Sequence, residues 1–257
     1  MEFEEFIKRI GDFTGIDLTK YKRPQMQRRI TSLMSMEGYP GYREYLRDLK
    51  RDSVLLERFL NHLTINVSEF YRNPSQWDVL VERILPEIIR VNPRPVFWSA
   101  GCATGEEPYT LAMVMREYFP GVRPRILATD IDDSVLSRAK EGLYRRRVLI
   151  NVPPTQLKKF FNYIKEDHYQ ISDDIKKMVE FRHHDLFRDV YPAFCDLILC
   201  RNVMIYFTEE AKSALYRMLR DALRPGGVLF TGSTEQIFQA SRLGLEAVAS
   251  FFYKRVS

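Results

Sequence analysis

The stretch from Val96 to Tyr109, VFWSAGCATGEEPY, runs from an apolar strand through a turn of small residues into a helix start. Gly101, Ala103 and Gly105 leave room for a ligand to approach the backbone, and the amides of the following helix present a positive dipole end. That is the form of a nucleotide-cofactor loop. Glu106 and Glu107 stand at the same helix end. They favour the helix but repel a pyrophosphate, which such an end otherwise attracts. A cofactor with a cationic head suits them better, and S-adenosylmethionine carries both a sulfonium and an ammonium group.

Other residues extend this site. Asp130 ends the run RILATD, about 20 residues beyond the glycine loop, where an acid accepts hydrogen bonds from ribose hydroxyls. A loop and an acid of this kind are shared by dehydrogenases and methyltransferases, so together they define only a cofactor class. Asp185, after VEFRHH, stands where a side chain either receives an adenine amino group or caps the next turn. CDLILC, residues 195–200, reads as a buried strand that delivers Arg201, Asn202 and Tyr206 to its carboxyl end, where open parallel sheets keep their ligands. An arginine there has a purpose or a large desolvation cost. In LTINVSEFYR, residues 63–72, a bend would aim Asn66, Ser68 and Arg72 at one site. As caps of the next helix, Asn66 and Ser68 need no ligand.

The positioning elements follow from periodicity. Residues 1–75 carry apolar residues three and four apart in four segments, punctuated by Gly15, Gly38 and Gly41, and read as an N-terminal helical domain. A linker helix over 76–92 stops at Asn92-Pro93-Arg94-Pro95. From 93 to 257 the runs PVFWSA, RILATD, MVEFR, CDLILC and GVLFTG read as strands, with helices near 106–118, 133–141 and 208–223 between them. The expected fold is α/β, a parallel doubly wound Rossmann-like sheet. Residues 142–178 break the alternation and read as a small inserted subdomain, in which QLKKFF is helical and HYQISDDI alternates as an edge strand does.

With 257 residues the chain can bury a substantial core. No apolar run approaches the roughly 20 residues of a membrane span, and MEFEEFIKRI is not signal-like, so a cytoplasmic protein without membrane insertion is expected. Cys102, Cys195 and Cys200 lack a CxxC spacing and the four histidines are scattered, which leaves no metal expected. The formal net charge of +5 permits an acidic partner. From Leu18 to Met36 there is no acid, while Lys20, Lys22, Arg23, Arg28 and Arg29 crowd together. That face is either solvated or a cradle for an acidic substrate.

Read in order, LTINVSEFYRN, WSAGCATGEEPY, ATDID, the Gly142 to Tyr144 segment, CRNVMIYF and LRPGG resemble the chemotaxis receptor glutamate O-methyltransferase family, the CheR type, over essentially the whole chain. The resemblance implies a class I S-adenosylmethionine-dependent methyltransferase that methylates glutamate side chains in the cytoplasmic helical bundle of chemoreceptors, leaving S-adenosylhomocysteine. Matched by motif, Asn66, Ser68, Arg72, Gly101, Glu107, Asp130, Asp185, Leu186, Cys200, Arg201 and Asn202 are the implied cofactor contacts. Arg72 and Tyr206 are implied near the transferred methyl. Lys22, Arg23, Arg28 and Arg29 match the receptor-facing helix, which makes the helical domain the recognition domain. A monomer is expected. A glutamate carboxylate is already ionised at neutral pH, so the transfer requires no general base.

Two other readings compete. A nucleic-acid methyltransferase that modifies base nitrogens places an Asn/Asp-Pro-Pro-aromatic motif after the fourth strand, where this chain reads CRNVMIY, and the NVPP of residues 151–154 lies elsewhere. A nucleic-acid substrate is therefore not expected. A noncatalytic receptor-binding scaffold would bind the cofactor without turnover, which a labelled-cofactor assay decides. One departure stands out: family members that dock on a receptor's C-terminal tether carry a glycine-bearing loop in the small subdomain, whereas FFNYIKEDHYQI has no glycine. Tether independence is the expectation.

Overall fold

The structure, a computed structural model, describes residues 1–63 and 68–256. The chain divides into two units, Met1–Asn66 with Ile205–Ala214, and Val67–Met204 with Leu215–Ser257. The division falls ahead of the boundary placed at residue 75 from sequence. It also assigns residues 205–214, which sequence order puts in the later domain, to the helical unit.

In the helical unit, α1 (Phe3–Thr14), α2 (Arg23–Met36), α3 (Tyr42–Leu49) and α4 (Ser53–Leu63) bury one apolar stripe each. Phe6, Tyr45 and Phe59 form its aromatic centre, with ring centroids about 6 Å apart. The later segment joins by backbone pairing. Lys22 N–H donates to the Tyr206 carbonyl at 2.9 Å and Thr208 N–H to the Lys20 carbonyl at 2.8 Å, while the Tyr21 and Phe207 rings meet edge-on.

The second unit opens on one continuous helical run, α5 (Pro74–Val79), a π-helical turn (Leu80–Ile84) and α6 (Leu85–Val91). Pro86 has no N–H to give and its ring crowds the carbonyl four residues back, so widening the preceding turn accommodates it. Then follow β1 (Val96–Ala100), α7 (Glu106–Tyr118), β2 (Arg125–Asp130), α8 (Asp133–Glu141), β3 (Leu143–Arg145), α9 (Pro154–Phe160), β4 (Phe161–Lys165), β5 (His168–Ile171), α10 (Asp173–Lys176), β6 (Val179–His183) and β7 (Cys195–Cys200). The chain ends with α11 (Glu209–Ala222), whose first residues belong to the helical unit, β8 (Leu223–Thr231), β9 (Leu245–Ala249) and β10 (Phe252–Arg255).

The main sheet has seven strands in the order β6-β2-β1-β7-β8-β10-β9. Five are parallel, as the alternating pattern predicts. The expectation of an all-parallel sheet is corrected at one edge, where β10 runs antiparallel to both β8 and β9. The turn at Ser250 and Phe251, the latter at φ 69°, returns the chain too soon for the crossover helix that a parallel neighbour requires. Strand order reverses between β1 and β7, which leaves a crevice at their carboxyl ends.

The inserted subdomain is a separate antiparallel sheet in the order β3-β5-β4. This corrects the edge-strand reading of His168–Ile171: β5 pairs on both sides, with Tyr169 facing Tyr144 and Tyr163. Glu166 and Asp167, both at positive φ, make the tight turn between β4 and β5 without a glycine.

Candidate functional site

At the end of β1 the chain turns sharply, and Gly101 and Cys102 both donate their N–H groups to the Thr129 carbonyl, at 2.8 and 2.9 Å. Gly101 lies at φ 80°, and a Cβ there would stand 2.6 Å from Val203 Cγ2. Packing against the β7 loop therefore demands a glycine at this position. Gly105, at φ 91°, opens α7 within similar limits set by Ala139 and Tyr144.

Asp130 ends β2 with its carboxylate turned back across this loop. Its Oδ2 accepts the Ala103 N–H at 2.9 Å and its Oδ1 the Asp132 N–H at 3.1 Å. The residue is 8% exposed. Burial pushes its carboxyl up to about 6 against the pull of those N–H donors, because removal from water penalises the ionised form. The two glutamates diverge. Glu106 turns inward to the Thr104 hydroxyl at 2.7 Å and to the Ser68 side chain. Glu107 accepts the Ser99 hydroxyl at 2.7 Å and faces Arg201 Nη1 at 3.5 Å. Burial raises both carboxyls above their ordinary range.

Arg201 does not point into open space. Its side chain is 2% exposed, and Nη2 donates to the Arg72 carbonyl at 2.7 Å, to Asn73 Oδ1 at 3.1 Å and to Gln76 Oε1 at 3.0 Å. The guanidinium also lies over the Phe230 ring, 4.5 Å from its centroid. Such a group orients protein rather than an incoming anion. What it holds is the turn carrying Arg72, whose neighbours Tyr71 and Asn73 both adopt positive φ, 52° and 60°. Tyr71 N–H bonds Thr110 at 3.2 Å and its hydroxyl bonds Gln156 at 2.5 Å, which clamps the turn from the other side.

Asn202, at φ 60°, donates its backbone N–H to Glu235 Oε2 at 2.6 Å, and Gly232 N–H reaches the same oxygen at 2.9 Å. Asn202 Oδ1 is buried without a protein donor. Cys200 is fully buried beneath it, at the end of β7. Asp185 caps its own turn, accepting the Phe187 N–H at 2.8 Å, so the capping alternative describes at least one of its oxygens. The Leu186 carbonyl accepts the Tyr191 hydroxyl at 2.6 Å. Asn66 lies outside the described residues. Glu235, Gln76 and Ser99 are missed by sequence reading. For Glu235 the signal was present, since it is an acid four residues beyond the carboxyl end of β8, at the same end of the sheet as Asp130, the last residue of β2.

In the helical unit, Tyr206 lines a small recess with Tyr21, Lys22, Gln25, Met26, Arg29 and Leu63. The basic residues there are unequal. Arg23 pairs with Glu4, and Arg29 donates to the His62 carbonyl with its Nε buried. Burial lowers the Arg29 pKa. Arg28 is exposed and Lys22 is half-buried.

Residues 66–249 match the family model described as CheR methyltransferase, SAM binding domain, and residues 1–64 match CheR methyltransferase, all-alpha domain. The chain belongs to the CheR methyltransferase family. It is similar to the chemotaxis protein methyltransferase of Listeria innocua, 42% identical over 93% of this chain and 91% of that protein. The protein of the same name from Borreliella burgdorferi is 33% identical, covering 99% of this chain and 94% of its own length. Chemotaxis protein methyltransferase 2 of Vibrio cholerae is 32% identical over 90% and 83%. The resemblance read from the six motifs is thereby borne out.

As a family member the chain is an S-adenosylmethionine-dependent methyltransferase, and its α/β unit is the cofactor-binding domain. The donor set fits that cofactor. Asp130 offers a carboxylate to hydroxyls, Asn202 Oδ1 is an orphan acceptor suited to an N–H, and the nearby acids favour a cationic head. Among the described residues no cluster of metal-ligating side chains occurs, and no helix is long and apolar enough to cross a membrane.

A pH dependence follows from Asp130. Its folded pKa is raised to about 6; if Asp130 accepts the ribose hydroxyls, as expected from the sequence, they donate to the ionised form and cofactor binding expels the proton below that pH. Affinity is expected to rise as pH increases through about 6 and to level off above it, falling up to tenfold per unit on the acid side. Asp130→Asn should flatten the profile and weaken binding by about 1 to 3 kcal/mol at neutral pH. Calorimetric titration between about pH 5 and 8 checks both, and an unchanged profile in the variant removes Asp130 from the site.

Proposed function

We propose that this chain transfers the methyl group of S-adenosylmethionine to glutamate side-chain carboxylates in the cytoplasmic helical bundle of chemoreceptors, acting in the cytoplasm as a monomer. The observation that carries the reading is the full-length match to proteins named chemotaxis protein methyltransferase. An acid-free basic segment on the helical unit supports it. When bound, the cofactor supplies an electrophilic methyl on sulfur. A glutamate oxygen forms the O–CH3 bond as the S–CH3 bond breaks, leaving a neutral thioether and a methyl ester, with no proton to move. The carboxylate is a weak nucleophile, so alignment carries the rate, with effective molarities on the order of 10⁵ M within reach.

Asp130, Glu107, Asn202, Asp185 and Leu186 form the proposed cofactor lining, with Asn66, Ser68, Gly101, Cys200 and Arg201 as its supports. Arg72 and Tyr206 take the roles at the reacting groups that the family resemblance assigns. Labelled cofactor incubated with receptor cytoplasmic fragments tests the reaction. A label released as methanol by mild alkali identifies an ester, whereas an alkali-stable N-methyl product overturns the assignment.

Lys22, Arg23, Arg28 and Arg29 are the proposed contacts for acidic receptor helices. Because Arg29 also braces the His62 carbonyl, its reversal would disturb the unit itself. Lys22→Glu with Arg28→Glu is the cleaner variant. It should lower receptor methylation and flatten its salt dependence, since charges act over about 8 Å at physiological ionic strength. Cofactor affinity should be unchanged. Full methylation by the variant would reduce the segment to a solvated face.

Recognition is proposed to proceed without a receptor tether. Support comes from the glycine-free stretch Asn162–Gln170, folded into the tight turn between β4 and β5. A tether raises local concentration without altering the reaction. Receptor fragments with and without their C-terminal tails should therefore be methylated equally. Micromolar binding of an isolated tail peptide, abolished by substitutions within residues 160–172, would overturn this.

A further inference from the structure

The cofactor crevice lies at the carboxyl ends of the parallel strands, yet a second groove of the α/β unit lies at their opposite ends. It measures roughly 410 Å³ and sits where β2 begins at Arg125 and β6 begins at Val179. Its floor is apolar, made by Met115, Ile126 and Met178. Its rim is strongly basic: Arg116, Arg123, Arg125 and Lys177 line it against a single carboxylate, Glu180.

The charges there are poorly neutralised. Glu180 serves Arg125 at 3.3 Å and also Arg182, so one carboxylate is divided between two guanidinium groups. Arg116 meets Asp174 only at 3.8 Å, with both side chains largely exposed. Among the described residues, Arg123 and Lys177 have no carboxylate partner. Several like charges around a low-dielectric floor hold a potential that a dianion relieves, and guanidinium forks match phosphate oxygens two at a time. The rim is also stiffened. Pro124 follows Arg123 directly, which restricts the Arg123 backbone and reduces the entropy lost when it closes on a ligand.

We propose that this groove is a second ligand site, for a small molecule that joins a phosphate head to a flat apolar body. The head meets Arg123, Lys177 and Arg116, and the body rests on Met115, Ile126 and Met178. Strands rise about 3.3 Å per residue, which places Arg125 at the groove about 17 Å along β2 from Asp130. An occupant therefore leaves the cofactor crevice free.

Binding of naphthyl phosphate to the full chain, followed by its fluorescence, tests this, with inorganic phosphate and naphthol as partial probes. Saturable binding is expected at sub-millimolar concentration, weaker for each partial probe, and undiminished by saturating S-adenosylhomocysteine. Arg123→Glu with Lys177→Glu should weaken it at least tenfold, and the milder Arg123→Ala should also weaken it if the reversal melts early. Arg242→Glu, a charge reversal elsewhere, should leave it unchanged. Competition by S-adenosylhomocysteine, equal loss in Arg242→Glu, or inorganic phosphate binding as tightly as naphthyl phosphate would overturn the proposal.

Discussion

Replacing Arg201 with methionine should lower the stability of the α/β unit by about 3 to 5 kcal/mol, the range for removing one partner from a buried charged network. Two costs combine. Glu107 loses the cation that faces it and is left buried, and the Arg72 carbonyl, Asn73 and Gln76 lose a shared donor. The Glu107 carboxyl already titrates above its ordinary range because of burial, and removing Arg201 raises it further. A carboxyl whose folded pKa is raised binds more protons folded than unfolded, so its stability contribution falls as pH rises through that window. The deficit of Arg201→Met should therefore shrink toward acid pH, and Glu107→Gln should recover part of it at neutral pH. Urea unfolding measures all three variants. A deficit independent of pH and of Glu107 would mean that the ion pair contributes nothing.

Arg72→Ala should lower turnover by about 10²-fold at saturating cofactor and receptor, the scale of one preorganised charged group acting on a transition state. Its fold should persist, because the turn is held through the Arg72 backbone carbonyl and through Tyr71 and Asn73 rather than through the substituted side chain alone. Thermal melting separates the two effects. Normal turnover in a folded variant would remove Arg72 from the reacting set. The paired experiment is informative because Arg72 and Arg201 are easily confused in sequence: both are arginines near the crevice, and Arg201 is buried among protein acceptors.

That confusion shows where sequence reading reaches and where it stops. The elements β1, β2 and β7, with α7 and α8, were legible because apolar runs end on residues with special turn or capping chemistry, such as Gly101, Asp130 and Asp132. Asp130 stood out by strand position alone. Arg201 did not reveal its orientation, because position at a strand end does not say which of two directions a long side chain takes. Ser68 likewise proved to serve Glu106, a partner far away in sequence. The β9–β10 hairpin escaped because Leu245–Ala249 is a short, half-exposed run, and the pairing of β5 on both sides depends on β3, three residues that carry no strand signal of their own.

The turn at Arg72 also has a kinetic meaning. Its shape is imposed by groups that arrive late along the chain: Gln156 lies 85 residues from Tyr71, and Arg201 lies 129 residues from Arg72. Contacts of such separation carry loop-closure entropy and form after local helices in folding. Tyr71, left alone, has no reason to occupy a left-handed backbone conformation, whereas Asn73 tolerates one. A chain emerging from the ribosome therefore completes its helical N-terminal segment well before this turn has any fixed geometry. The geometry of this turn is therefore expected among the last features to form, and partial unfolding around β7 is expected to disturb it early.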